Sequence, residues 1–286
     1  MSEDLNNIKE LRDKTGAGFL DCKKALIENN NNIEEAIDSL RRKGLAKATK
    51  KLSRDATEGA VGIYSNKNST IILKINSETD FAAKSDTFLD FMDNLGSFAL
   101  NTNNLNLNMK EFNDLKLNEK SVSDLVTEMI AKIGENIILN QLEVIEHKDS
   151  HLKYYVHNPY RKNIGKIISA VQYSSNTVDE KIESFSKNIC MHIAALKPEA
   201  IDENGLTKDM IDKEIKIQKD LILSSGKPSN VIDKILEGKM KKFFSEITLM
   251  NQNFVIDPDK TVREAMDFYI KEYSFTLINF KLISLV

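Results

Sequence analysis

The spacing of apolar residues changes at Gly59. Upstream, Leu5, Ile8 and Leu11, then Ala25 and Leu26, then Ile33, Ala36, Ile37 and Leu40 recur at the three-and-four spacing of amphipathic helices. Downstream, AVGIYSNKNSTIILKINS has the period of two that marks strands, and Asn66-Lys67-Asn68 interrupts it as a turn. The chain therefore reads as a helical trio followed by α+β material.

The trio occupies residues 4–51. Thr15-Gly16-Ala17-Gly18 separates its first two helices, because paired glycines favour a tight turn. Asn29 to Asn32 join the second to the third, with asparagine suited to a left-handed turn and Asn32 to an N-cap. Next, Arg41 to Arg54 holds seven basic residues and no acid. It lacks the interleaved aromatics that stack on bases, so a solvated linker helix is the preferred reading over a nucleic-acid contact. Residues 1–54 are expected as an independently folding arm.

After the first hairpin, helical material runs to about Gly134, broken by an Asn-rich loop at 101–108, and Ile137 to Glu146 supplies a third strand. The order then recurs. HLKYYVHN and KIISAVQYSS form a hairpin around Pro159 to Asn163, SFSKNICMHIAAL a helix, and SFTLINFKLISLV a strand expected to close a second sheet. Between the last two lies a helical hairpin, with Gly226-Lys227-Pro228 as its turn, a Ser229 cap, and a second arm rich in Val231, Ile232, Ile235, Leu236, Met240, Phe243 and Phe244. So much apolar surface predicts cover by self-association, core packing or a partner. The expected domains are 1–54, a core N-lobe at 55–150, a core C-lobe at 151–206 with 246–286, and the hairpin at 207–245.

Composition narrows the function. The 286 residues suggest about two domains, and a net charge of −3 with pI near 5.9 argues against a dedicated nucleic-acid binder. No apolar run approaches the ~20 residues of a membrane span, and MSEDLNNIKEL lacks a signal-peptide core. Cys22 and Cys190 fit no metal or redox spacing, so a reducing cytoplasm is the expected location.

Signatures of catalysis do not emerge. Gly226 to Ser229 resembles the end of a phosphate-binding loop, but Leu221 stands where that loop needs glycine. No cofactor, no metal and no direct nucleotide binding are expected. His147 and His151 lack a third ligand of the usual kind, and His192 is read as a satisfied core histidine.

The stretch INSETDFAAK, Ile75 to Lys84, joins a strand to a helix. Glu78 and Asp80 suit helix capping better than acid–base work, since nothing nearby supplies a nucleophile. Phe81 has two readings. With Asp80 as the cap, Phe81 is the first helical residue; it either begins a core stripe with Phe88, Met92 and Leu95 or is presented to another protein.

LRDKTGAGFLDCKKAL and INSETDFAAK both resemble signatures of the bacterial translation elongation factor Ts family, and KIGENI, MHIAALKPE and SGKPSNVIDKILEGKMKKF follow in that family's order. The resemblance implies a three-helix ubiquitin-associated-like domain, two α+β lobes with antiparallel sheets, and a protruding helical hairpin. It implies no enzyme but a guanine-nucleotide exchange factor that binds elongation factor Tu and promotes GDP release. Asp80 and Phe81, with Thr79, would enter the partner's nucleotide domain. Leu11, Phe19, Leu20 and Lys23 would grip an outer helix of the GTPase; Ile133, Gly134 and His157 match core contacts, and Ile235 and Leu236 an aliphatic pair facing the partner. Read from the residues alone, Leu11 and Leu20 suit a core better than a contact, and Lys23 suits a solvated face. Other expectations are a homodimer through the hairpin and, as an alternative function, an RNA- or ribosome-associated module using residues 41–54.

Overall fold

The computed structural model describes residues 2–15, 17–224 and 229–285. Gly16 and the expected turn at Gly226, Lys227 and Pro228 lie outside the described residues, as do the side chains of Ser229 and Val231. The chain forms two compact units, residues 1–146 with 158–166 and 284–286, and residues 147–157 with 167–283.

In the first unit, α1 (Ser2–Thr15), α2 (Phe19–Glu28) and α3 (Ile33–Thr49) form a bundle around Ile8, Leu11, Cys22, Ala25, Leu26 and Ala36. Asn30 and Asn31 take positive φ (53° and 60°), and the Asn32 side chain accepts the Glu34 and Glu35 N–H groups to start α3. The basic run is not a free linker. Its first half continues α3, Arg41 pairs with Glu128 at 2.7 Å, and Ala48 is buried in the core of the neighbouring elements. The reason is a small-residue seam: a Cβ on Gly44 would lie 3.1 Å from that of Ala131, so side chains there permit close helix approach.

Next come β1 (Glu58–Ser65), β2 (Ser69–Ser77), α4 (Asp80–Ala83), α5 (Asp86–Asn101), α6 (Met109–Asp114), β3 (Lys116–Leu117), β4 (Lys120–Ser121), α7 (Val122–Ile133) and β5 (Ile137–Glu146). The β1–β2 turn falls on residues 66–68, where Asn66 Oδ1 accepts the N–H groups of Asn68 and Ser69. β2 lies between β1 and β5, both antiparallel to it, and is buried on both faces except at Lys74. Phe88, Leu89, Met92 and Leu95 of α5 repeat at helical spacing and pack with Ile71, Leu73 and Ile75 of β2, Phe112 of α6 and Ile130 of α7.

The chain continues through β6 (His151–Arg161), β7 (Ile164–Ser174), α8 (Glu180–Leu196), α9 (Lys208–Ser224), α10 (Ser229–Ile247), β8 (Asn253–Phe254), β9 (Asp257–Thr261), α11 (Val262–Tyr273) and β10 (Thr276–Ser284). Pro159 lies inside β6 rather than in the turn, which is tolerable because β6 pairs only with β7 and an edge strand can spare one N–H. The terminal strand does not close a second sheet. β10 pairs with β7 in one six-stranded sheet of order β10-β7-β1-β2-β5, because β7 is long enough to pair β1 at Ile164 and Gly165 and still extend beyond it. The architecture is α+β with antiparallel strands. In the hairpin, Met240 is buried and Ile232, Ile235, Leu236, Phe243 and Phe244 are half-buried, because α9 and α10 pack on each other. Among the described side chains of the hairpin, the large exposed apolar residues stand instead on the first arm, at Ile217, Leu221 and Leu223.

The second unit has its own core, with Tyr173 stacked on Phe275 and Phe185 on Tyr269. His192 is fully buried there. Gln252 donates its amide to Glu246 O (2.7 Å) and Leu196 O (3.4 Å), so its Oε1 faces His192 Nε2 at 2.9 Å and accepts that proton. His192 Nδ1 accepts the Val255 N–H at 3.2 Å. Both ring nitrogens are thus satisfied only in the neutral form, and burial pushes the imidazole below its ordinary value of 6.5. The unfolded chain takes up a proton below that value while the folded chain resists it, so this stabilisation is complete above about pH 6.5 and is lost as pH falls through the folded value. The His192 ring resonance in an NMR titration is expected to move at lower pH than an ordinary histidine, with denaturant stability falling over the same interval.

Candidate partner-binding site

β2 ends at Ser77, and the next eight residues decide where Phe81 points. The cap is Thr79, not Asp80: the Thr79 hydroxyl accepts the Ala82 N–H at 3.2 Å, and Asp80 is the first residue of α4. That helix is a single turn. Ser85 then caps α5 afresh by accepting the Phe88 N–H at 3.3 Å. Phe81 is therefore not on a continuous face with Phe88, Met92 and Leu95. Those three are fully buried, Ala82 and Ala83 also turn inward, and Phe81 is 84% exposed.

Asp80 and Lys84 pair across the turn at 2.6 Å, and Lys84 Nζ lies 5.8 Å from the centroid of the Tyr160 ring. The hydrogen bond from Lys84 holds the Asp80 carboxyl below its usual range, so Asp80 presents a negative charge beside Phe81.

A second loop, residues 133–136, meets this junction. Gly134 ends α7 at φ 87°, a left-handed cap for which glycine is suited. The chain then presents Glu135, whose Oε2 accepts the Thr79 N–H at 2.9 Å and whose Oε1 accepts the Thr79 hydroxyl at 2.7 Å. In return the Asn136 N–H donates to Glu78 Oε1 at 2.7 Å; this bond first, then Arg54, holds the Glu78 carboxyl below its ordinary value. The buried Asn136 side chain donates to Arg54 O at 2.6 Å and Leu52 O at 3.4 Å, and Lys51 Nζ donates to Gly134 O. Thr79, Asp80, Phe81, Ile133 and Gly134 are thus gathered into one cross-linked loop cluster, with Ile133 half-buried against the core.

On the helical bundle, Phe19 (43% exposed) and Leu20 (70%) stand at the start of α2, with Lys23 exposed one turn on. Ile27, 66% exposed and seven residues from Leu20, extends the same face; the helical spacing of Leu20 and Ile27 carried that signal in the sequence. Leu11 is a correction. It is fully buried in the bundle core and offers a partner no surface, because α1 turns that side chain toward Cys22 and Leu26. In the second unit, His157 is half-buried on β6 with its Nδ1 3.2 Å from the Tyr155 hydroxyl, and Ile235 and Leu236 are half-buried on α10. The sequence reading missed Glu78, Glu135 and Asn136 as a set, since their partners lie 56 and 58 residues away.

Among the described residues no cluster of three His, Cys, Asp or Glu side chains is placed to hold a metal ion, and no helix is long and apolar enough to cross a membrane. The family model described as Elongation factor TS matches residues 78–285. Elongation factor Ts of Rickettsia bellii (strain OSU 85-389) is 41% identical over 268 residues, covering 93% of this chain and 86% of the relative. Elongation factor Ts of Rickettsia massiliae (strain Mtu5) is 40% identical over 266 residues, covering 93% and 85%. That of Rickettsia rickettsii (strain Sheila Smith) is 41% identical over the same length and with the same coverage. These matches place the chain among translation elongation factors, proteins of protein biosynthesis that are not enzymes. Within that class, the chain belongs to the elongation factor Ts family.

The two phenylalanines on either side of Ser85 should respond oppositely to truncation. Phe88→Ala empties a packed site and is expected to cost ~3–5 kcal/mol, whereas Phe81→Ala leaves no cavity and should barely move the melting temperature. Thermal melts of the two variants side by side check this.

Proposed function

We propose that this chain is a cytoplasmic guanine-nucleotide exchange factor that binds elongation factor Tu and promotes GDP release during translation elongation. The observation that carries the reading is Phe81: a large aromatic, 84% exposed, on a doubly bonded and capped turn beside the charged Asp80. Aromatics in such positions serve as interface anchors. On the family resemblance this Asp-Phe pair would enter the partner's nucleotide domain, and membership of the elongation factor Ts family supports the same partner. Thr79, Asp80, Phe81, Ile133 and Gly134 make up the exchange contact in this proposal. Phe19, Leu20 and Lys23 make up the bundle contact, and His157, Ile235 and Leu236 further contacts.

The proposed domain division keeps a ubiquitin-associated-like bundle within 1–54, lobes at 55–150 and 151–206 with 246–286, and the hairpin at 207–245. A homodimer through the hairpin is a further proposal, supported by the exposed Ile217, Leu221 and Leu223, and sedimentation velocity tests it. The RNA-binding alternative is less well supported, because Arg41, Lys43, Lys51 and Arg54 already bond Glu128, Glu28, Gly134 O and Glu78.

Exchange of this kind needs no nucleotide site on the factor. It works through reciprocal coupling: whatever factor the protein weakens GDP by, GDP weakens the protein by the same factor. Shifting a loaded population decisively takes on the order of 5 kcal/mol of differential affinity.

Stopped-flow release of labelled GDP from elongation factor Tu tests the reading. Phe81→Ala is expected to slow release at least ~tenfold, equivalent to ~1.4 kcal/mol. Unaccelerated release with the unaltered chain would exclude exchange, and normal release with folded Phe81→Ala would exclude this site. The paired substitution Phe19→Ala with Leu20→Ala, both on exposed positions, should weaken binding to nucleotide-free elongation factor Tu by about tenfold or more with little change in melting temperature. Calorimetric titration measures it.

A further inference from the structure

We propose that Glu135 is a positioning residue: its carboxylate, bonded to Thr79 and backed by the Asn136–Glu78 bond, fixes the turn that presents Phe81. The inference rests on the exchange reading of Phe81 and adds to it the device that holds the side chain in place.

The geometry begins with proton directions. The Thr79 hydroxyl has one proton, and Glu135 Oε1, 2.7 Å away and acceptor-only when ionised, takes it. The hydroxyl lone pairs are then left to accept the Ala82 N–H at 3.2 Å. Glu135 thus sets the orientation in which Thr79 caps α4. It also receives the Thr79 N–H, so both donors of the residue before Asp80 end on one carboxylate. Ser77 Oγ donates to Thr79 O at 2.9 Å, which ties the same peptide to the end of β2.

A helix of four residues cannot hold itself. Fixing a first turn is unfavourable on its own, so the direction of Phe81 depends on what anchors the cap. The anchor is firm because its support is buried: Asn136 is 0% exposed, its backbone N–H bonds Glu78, and its side-chain amide bonds the chain at Leu52 and Arg54. Gly134, at φ 87°, turns the chain so that Glu135 and Asn136 follow α7 directly into this junction. Phe81 itself makes no such bond. With 84% of its surface exposed, it has little packing to define its position, and the cap supplies what packing does not. Loosening the cap spreads Phe81 over more orientations, and a partner must then pay the ordering cost on binding.

Three variants test this: Glu135→Ala, which removes both acceptors; Glu135→Gln, which keeps one acceptor oxygen in nearly the same shape; and Glu135→Ala combined with Phe81→Ala. GDP release from elongation factor Tu is measured for each against the unaltered chain and Phe81→Ala, below the melting temperature of every variant. Hydrogen exchange at the Ala82 amide is measured on the free protein. Glu135→Ala is expected to slow GDP release by about tenfold and to speed Ala82 exchange, with Glu135→Gln recovering part of both. In the Phe81→Ala background, Glu135→Ala should add less than about a twofold further loss, because both changes then act through one side chain. A loss as large in that background as in the unaltered one overturns the inference, since it marks a general structural defect. So does normal GDP release by Glu135→Ala, or unchanged Ala82 exchange in both Glu135 variants. Unaltered response to Phe81→Ala would instead remove the exchange site on which the inference rests, a result distinguishable from a Phe81 effect without a Glu135 effect.

Discussion

The carboxylate of Glu135 bonds the Thr79 N–H and hydroxyl together, and the surroundings of Phe81 depend on that bridge. It stands at the end of the β2–β5 ladder, where Ser77 pairs with Ile137. The sheet brings the two loops side by side, and side-chain bonds then lock them. Without the ladder, two residues 56 apart in sequence would have to close that loop entropically. The bond is strong in kind, since a carboxylate accepts two donors at once.

Burial divides the junction cleanly. Ala82 and Ala83 close against the core with methyl groups, while the large ring between Asp80 and Ala82 stays outside. A continuous helix from residue 80 to 101 would have placed Phe81 on the apolar stripe of α5. The second cap at Ser85 prevents it, because the extended backbone there (φ −68°, ψ 143°) breaks the helix before α5 starts afresh. Hydroxyl chemistry at two positions, Thr79 and Ser85, thus separates an aromatic for display from aromatics for packing.

The helical bundle is attached to this junction and is not a loosely tethered arm. Ala48 enters the core around α5 and α7, Gly44 lets α3 approach Ala131, and the backbone at Leu52 and Arg54 satisfies the buried Asn136 amide. Removing residues 1–54 would strip acceptors from a buried side chain, which costs more than the lost contacts alone. Point changes on the exposed face of α2 separate binding from folding more cleanly than truncation.

Much of the fold was legible locally. The turn at residues 66–68, the strand Ile137–Glu146, the stripe of α5, the left-handed Asn31 and the Asn32 cap all follow from period and turn chemistry within a few residues. The motifs around Thr79-Asp80-Phe81 also carried the family. The sequence reading took Asp80 as the cap of α4, where the structure uses Thr79. Sequence alone did not decide whether Leu11 packs or projects, or that β10 would join the sheet of β1 and β2. Nor did it assign Glu135 to Thr79. Period and capping are encoded by neighbours along the chain, and so they survive in a single sequence. Which polar group meets which across 56 or 58 residues is set by strand register and by the helices packed upon it, and those exist only once the chain has folded.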